Sequence, residues 1–522
     1  MKVLLKRLKD LGKHRLSRRA LPVACGVWCA LMLLPLILIS FDAHPTHDDF
    51  VHSLPVTEAW LRTGSLWAAL GAAWDRALFM YHNWQGTFVA MFFSALQPMV
   101  FSPRLFFLTP LLTLGGLCLS AAYFSKNLIR RTLGADAPAS AVFFTVLMTL
   151  LLQFLPSARE VIYWHSGTPY ALSVMMILVI LGLLLKLHRQ AFSLSYALRG
   201  GLLFACGVVL GGCPYPLALG GALGLCFVAA WALWTRSAAR WGSLCALAGT
   251  GLALALVVAA PGNLLRQEVV GAPVSAARAV VQSVAECAEM TGQWFSPQLV
   301  AAAVLLLPLL APALRAGGFS FGHPFLFMTL SFGVLAASFV PPIYATGLEG
   351  YRVERVLSSL YMLYALLALL NLLYLGGYLL RRFERQGACL EALGRKGPSL
   401  AVLSLCGMLL LWGLFANAIM TAPSIAAAKS LLTGEAARYH QEMSLREERL
   451  AASETQAEAV SAIVPLSAEP VALPVDKLPF QREGGMPGLM RRYFRLHQLA
   501  GIHGPGKIPP GEWEALDSWP AR

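Results

Sequence analysis

The chain has 522 residues, of which 57% are hydrophobic and 13% charged, and its mean hydropathy is +0.62. So few polar groups cannot coat a water-soluble globule of this size, which leaves an integral membrane protein. The formal net charge of +14 does not mark a nucleic-acid binder, because eight Lys/Arg against the single acid Asp10 crowd into residues 1–20, directly before an apolar run, as a topology signal does. The ten cysteines are scattered, mostly inside apolar runs, without a CxxC pair or a Cys/His cluster, so no disulfide framework and no zinc site is expected.

In chain order, a basic N-terminus over 1–20 leads into the stretch 23–41, which is long enough to span and lacks a small-x-small cleavage site. It reads as an uncleaved first helix. Apolar runs suited to bilayer crossings lie near 21–41, 103–124, 139–156, 168–187, 198–213, 215–234, 242–260, 297–314, 322–341, 356–380 and 399–420, which predicts eleven spans. With the N-terminus inside, the connections 126–131, 186–189, 236–240, 315–322 and 381–396 face the cytoplasm, and each carries Lys or Arg. The outward segments are then 42–102, 157–167, the 214–216 turn, 261–296, 342–355 and the tail. Residues 86–99 are apolar but short and close on Pro98 and Ser102-Pro103, so they predict a helix lying in the outer interface. The tail, 421–522, holds eleven Lys/Arg and twelve Asp/Glu, a polar helical pattern from about Ser424 to Glu458, proline-punctuated segments, and Trp513 and Trp519. It predicts a small appendage on the outer side.

The outward segments carry the unusual residues. Phe41-Asp-Ala-His-Pro-Thr-His-Asp-Asp-Phe50 places Asp48 and Asp49 just beyond the first span. Adjacent carboxylates repel, so one can hold a raised pKa while the other accepts a proton or a cation. The plainer reading is a helix start capped by Thr46, Asp48 or Asp49. His44, His47, Asp48, Asp49 and His52 have the side chains that ligate a divalent metal ion, but they meet no standard ligand spacing. No cofactor is therefore assigned.

Tyr81-His-Asn-Trp-Gln-Gly86 and Arg159-Glu-Val-Ile-Tyr-Trp-His-Ser-Gly-Thr-Pro-Tyr170 set aromatic rings beside hydrogen-bonding groups. Singly, such Trp and Tyr residues are interface anchors. Together, Tyr81, Trp84, Arg159, Glu160, Tyr163, Trp164 and His165 are what a carbohydrate site uses, with sugar faces on rings and hydroxyls on polar groups. A cationic set follows in Pro261-Gly-Asn-Leu-Leu-Arg266 and in the run from Tyr344 to Arg355, with Asn263, Arg266, Arg352 and Arg355. Arginine forks match phosphate, and the competing reading pairs them with Glu268, Glu349 and Glu354 or with lipid headgroups.

The Asp pair after the first helix, the Tyr-x-x-Trp-x-Gly segment, the Arg-Glu…Tyr-Trp-x-x-Gly loop and the Pro-Gly-Asn-x-x-Arg exit occur in this order over residues 20–420. In this the chain resembles the GT-C superfamily of polytopic membrane glycosyltransferases, especially bacterial glucosyltransferase-like membrane proteins. The resemblance implies an all-α GT-C-like core over 21–420 with interfacial helices in the first outer loop, and a small extracytoplasmic region over 421–522. It implies a polyprenyl-phosphate sugar donor, a glycan or glycolipid acceptor in the cell envelope, and an acidic residue of the first loop, Asp48 or Asp49, as base or metal ligand. The substrate contacts would come from His47, Tyr81, Trp84, Arg159, Glu160, Tyr163, Trp164, His165, Asn263, Arg266, Tyr344, Arg352 and Arg355. Many relatives carry Gly-Arg after the Trp-x-Gly segment, where this chain has Gly86-Thr87. Because the family is bacterial, the expected location is the inner membrane with the active face periplasmic. The alternatives are a transporter or flippase, or a polymerase or ligase, of lipid-linked saccharides. Transporters place ionisable groups near span centres, whereas here they gather at span ends.

Overall fold

The computed structural model describes residues 14–188, 193–270, 274–395, 397–416, 419–475 and 485–518. Trp519, Arg189, Lys396 and most of the basic N-terminus lie outside these. Within them the chain is all-α, and its one β-type contact is an isolated bridge between Arg15 and Ser399. We number the helices α1 Leu21–Ile39, α2 Asp48–Thr63, α3 Leu66–Asn83, α4 Phe88–Ala95, α5 Leu108–Ser125, α6 Ala137–Gln153, α7 Thr168–Leu187, α8 Leu194–Gly211, α9 Tyr215–Trp234, α10 Arg240–Val258, α11 Gly262–Val270, α12 Ala276–Trp294, α13 Pro297–Ala316, α14 Pro324–Thr346, α15 Glu354–Arg382, α16 Glu384–Arg395 and α17 Leu400–Ala416. The tail adds α18 Pro423–Leu432, α19 Glu435–Ala452, α20 Gln456–Ala462, α21 Met486–His503 and α22 Pro510–Asp517.

Among the described residues nine helices are long and apolar enough to cross a membrane: α1, α5, α7, α8, α9, α10, α13, α14 and α15. The two other expected spans are the shorter apolar helices α6 and α17, of 17 residues each. Contacts between helix ends sort the connections into two faces. Arg18 pairs with Asp136, and Arg381 reaches the Gly317 carbonyl, at the face rich in arginine. At the other end, Ser166 meets Asp49 and Arg159 meets Glu354. We call these the basic face and the loop face.

Small residues set the close approaches. A Cβ on Gly207 of α8 would lie 2.4 Å from the Ala246 carbonyl of α10, and one on Gly249 would lie 2.2 Å from that of Phe204. Such contact is the usual basis of helix association in lipid, where burial of apolar surface adds no drive.

The first outer loop is richer than the sequence predicts. The expected interfacial helix over 86–99 is α4 followed by a 3₁₀ turn, Pro98–Val100, and α2 and α3 precede it. On α3, Ala69, Ala73, Ala77 and Met80 are buried while Leu66, Trp67, Trp74, Leu78 and Phe79 are exposed, the amphipathic pattern of a helix at a lipid–water interface. α12 was likewise not predicted, because its apolar residues follow a helical stripe and not a continuous run.

The tail folds onto this loop. Phe50 of α2, 1% exposed, packs against Tyr493 and Phe494 with ring centroids 5.2 and 5.5 Å away. Burial of one such ring is worth roughly 2–3 kcal/mol. Arg492 bonds both Glu58 and Asp517, the Tyr493 hydroxyl donates to the Met99 carbonyl at 2.6 Å, and the Gly506 amide donates to the Leu61 carbonyl at 2.8 Å. His44 stands between Glu447 (2.6 Å) and His440 (2.9 Å) of α19. Residues 423–432 reach deeper, where Gln153 donates to the Ser424 hydroxyl at 2.7 Å and α18 lies along α1. The loop and the tail thus share one apolar core.

Candidate active site

Helix α2 begins at the Asp pair, and the two carboxylates diverge. Asp49 is fully buried. Its oxygens accept from the Thr46 amide at 3.0 Å, the Ser166 amide at 3.1 Å and the Ser166 hydroxyl at 3.0 Å, while Gln97 donates to its carbonyl at 2.8 Å. Burial pushes this acid up to about 8, with the Asp48 charge adding to the rise, and the Thr46 and Ser166 donors pull the other way. Asp49 therefore ties three stretches of chain together.

Asp48 faces outward, with its side chain 42% exposed and 3.2 Å from the His47 ring. Desolvation is the largest influence and raises its pKa. The His47 hydrogen bond, the charges that His52 and His47 carry in the acid range where Asp48 titrates, and Arg355 together outweigh it and hold the carboxyl below its ordinary value. Asp48 is an accessible carboxylate, ionised at neutral pH. His52, one turn on along α2, is 7% exposed, and its buried Nδ1 has no partner; burial drives it down to about 4, so it is neutral.

The 157–167 connection supplies the next groups. A π-helical turn, Arg159–Tyr163, aims two successive side chains at the start of α15. Arg159 forks onto Glu354 at 2.9 and 3.2 Å, and Arg355 returns to Glu160 at 3.2 Å, a crossed double ion pair. The Arg355 guanidinium also lies 5.0 Å from the Trp164 ring centroid. Tyr163 and His165 turn inward: the Tyr163 hydroxyl donates to the Leu36 carbonyl at 2.9 Å, and His165 sits between the Thr109 hydroxyl (3.1 Å) and the Phe93 carbonyl (2.8 Å). They build the floor beneath Ser166. The polar groups of both are engaged with the protein itself in this structure.

Two other motifs meet each other. The Tyr81 hydroxyl donates to the Leu256 carbonyl at 3.0 Å, the Gly86 amide donates to the Asn263 side-chain oxygen at 3.0 Å, and Arg266 bonds Gln85 while lying 5.5 Å from the Trp84 ring. Glycine is required at both crossings, since a Cβ on Gly86 would stand 2.0 Å from the Val257 carbonyl and one on Gly262 would stand 2.4 Å from the Trp84 amide. Asn263 also donates to the Val257 carbonyl at 2.8 Å. Its side chain is thus engaged in closing the end of α10. Arg352 is exposed and makes a 3.5 Å pair with Glu349, and Tyr344 is 40% exposed with its carbonyl accepting from Val274.

One group escaped the sequence reading. Arg76 of α3 lies close enough to His52 to lower its basicity, contacts the Phe79 ring, and has no hydrogen-bond or ion-pair partner among the described residues. The signal was the amphipathic register of 66–83, which sets Arg76 apart from the apolar stripe. The five candidate metal ligands of the first loop do not converge: Asp49 is enclosed by donors and His44 is held by α19. Among the described residues no group of three or more His, Cys, Asp or Glu is arranged to hold a metal ion.

No protein family, no characterised protein and no solved structure matches the chain.

Proposed function

We propose that this protein is a membrane glycosyltransferase that moves a sugar from a polyprenyl-phosphate donor to a glycan or glycolipid acceptor. The observation that carries the reading is Asp48, an accessible and ionised carboxylate beside Arg355, with the unpaired Arg76 near its neighbour His52. Asp48 accepts the proton of an acceptor hydroxyl as that oxygen attacks the anomeric carbon. The bond from the anomeric carbon to the phosphate oxygen breaks, and the lipid phosphate leaves with its charge facing Arg355 and Arg76. One displacement inverts the anomeric centre. Trp164, on the connection that meets Asp49, is the ring on which a sugar face rests, and lodging the lipid tail between helices supplies proximity. In this reading the basic face is cytoplasmic, the loop face is periplasmic and the membrane is a bacterial inner membrane.

The test is the glycan profile of envelope lipids and polysaccharides, by mass spectrometry, in cells lacking the protein and complemented with wild type, Asp48→Asn or Asp49→Asn at matched protein level. Loss of a positioned base lowers rate by about 10²–10⁴-fold, so Asp48→Asn should leave the sugar missing. Full restoration by Asp48→Asn overturns the reading and moves a flippase of lipid-linked saccharides ahead of it.

A further inference from the structure

The basic face carries a concavity at the end of α1 opposite Asp48. A cavity of about 630 Å³ opens between the turn that precedes α6 and the end of α13, with Arg18, Leu133, Asp136, Leu309, Ala313 and Arg395 in its lining. This is within the range that holds small ligands, about 300–1,000 Å³.

Small residues create the space. Gly134 has a φ of +77°, and nothing lies within 4 Å of where its Cβ would be; Ala313, Ala316 and Gly317 present short or absent side chains. Leu133, Leu309 and Pro312 make one wall apolar, and because α13 is long and apolar enough to span, that wall runs into the depth of the hydrocarbon.

The rim is cationic. Arg18 forks onto Asp136 at 3.0 and 2.9 Å, Arg395 and Arg315 share Glu391, and Arg381 donates to the Gly317 carbonyl at 2.6 Å. The cavity lining itself holds two arginines, Arg18 and Arg395, against the single acid Asp136, and Arg315, Arg381 and Glu391 lie next to it through these contacts. The pairs are partly exposed, and such pairs contribute only about 0–1 kcal/mol, so a phosphate can take the place of a carboxylate at small cost. Guanidinium forks also fit phosphate oxygens as well as they fit carboxylates.

We propose that this cavity binds an anionic phospholipid from the leaflet at the basic face, with the phosphate between Arg18 and Arg395 and an acyl chain along Leu133 and Leu309. Basic pockets between spans are suited to anionic headgroups. A zwitterionic headgroup brings a quaternary ammonium that the arginine rim disfavours. The assignment does not rest on the glycosyltransferase reading.

The test uses the full-length protein in a neutral detergent, titrated with phosphatidylglycerol, with phosphatidylcholine of the same chains, or with inorganic phosphate, and read by native mass spectrometry and thermal melting. Phosphatidylglycerol should form a saturable adduct at a concentration at least tenfold below phosphatidylcholine and raise the melting temperature. Arg395→Gln, at an exposed position, should narrow that ratio, and Arg18→Gln with Arg395→Gln should abolish it. Ala313→Phe, which fills the groove and keeps every charge, should weaken phosphatidylglycerol binding. Equal binding of the two lipids, or wild-type discrimination in both the double variant and Ala313→Phe, overturns the proposal. A melting shift reproduced by inorganic phosphate alone overturns the lipid assignment.

Discussion

The loop face holds two constellations that look alike in sequence and differ in what they leave available. Around Tyr81, Trp84 and Asn263, hydrogen bonds run from motif to motif and glycines let backbones touch. Around Asp48 the ion pairs cross between neighbouring segments, but a carboxylate and a guanidinium, that of Arg76, remain without ion-pair partners of their own beyond His47. Aromatic and polar residues at span ends therefore differ in what they do, closing the bundle in one place and leaving charged groups uncovered in another. The partners of each polar atom decide which.

The largest expected effect breaks the closed constellation. Gly86→Ala forces a Cβ into the Val257 carbonyl, and overpacking of this kind costs roughly 1–3 kcal/mol or more, so the detergent-solubilised protein should show the greatest fall in melting temperature. If Gly86→Ala melts like wild type, the two motifs are not locked together. Next comes Asp49→Asn, whose amide cannot accept from both Thr46 and Ser166; the unsatisfied donor costs about 1–3 kcal/mol. It also removes a titration. An acid at about 8 in the fold binds its proton more tightly than in the unfolded chain, so stability declines as pH rises from the ordinary carboxylate range to about 8 and is level above it. Melting temperatures across that window should lose this decline in Asp49→Asn.

Smaller changes probe the open constellation. Arg355→Gln removes a partly exposed ion pair, worth about 0.2–1 kcal/mol, so stability should change little. It also removes one of the charges that hold Asp48 low, so the acid limb of the pH–activity profile should move upward. An unmoved limb would separate Arg355 from the carboxylate. Arg352→Gln is expected to leave both melting and glycan profile unchanged, because Arg352 makes an exposed pair with Glu349 and lies 5.4 Å from the Tyr351 ring centroid, contacts that are worth little at the surface. A glycan defect in that variant would extend the open constellation to the start of α15.

Composition and hydropathy made the membrane class, the first span and the alternation of basic and unusual connections legible. Adjacent carboxylates also announced a divergence, but not its direction, since that depends on Ser166, a residue 117 positions away. A helix start at the Asp pair was legible from its capping residues, but the bounds of α3 and α12 were not, because apolar runs detect segments surrounded by lipid, whereas these are apolar on one side only. Tyr163, His165 and Asn263 look like ligand contacts in a motif, and only their carbonyl and hydroxyl partners reveal that they are engaged. Arg76 carried the opposite ambiguity, a single charge on an amphipathic helix whose lack of a partner no spacing discloses.

The clasp between α2 and α21 has a consequence for how the molecule is made. Glu58 finds Arg492 across 434 residues of chain, and Phe50 is covered by residues of the same late helix. During synthesis the loop bearing Asp48 emerges early, ahead of the eight other helices that are long and apolar enough to span among the described residues. The residues that cover it arrive only with the tail, at the end of synthesis.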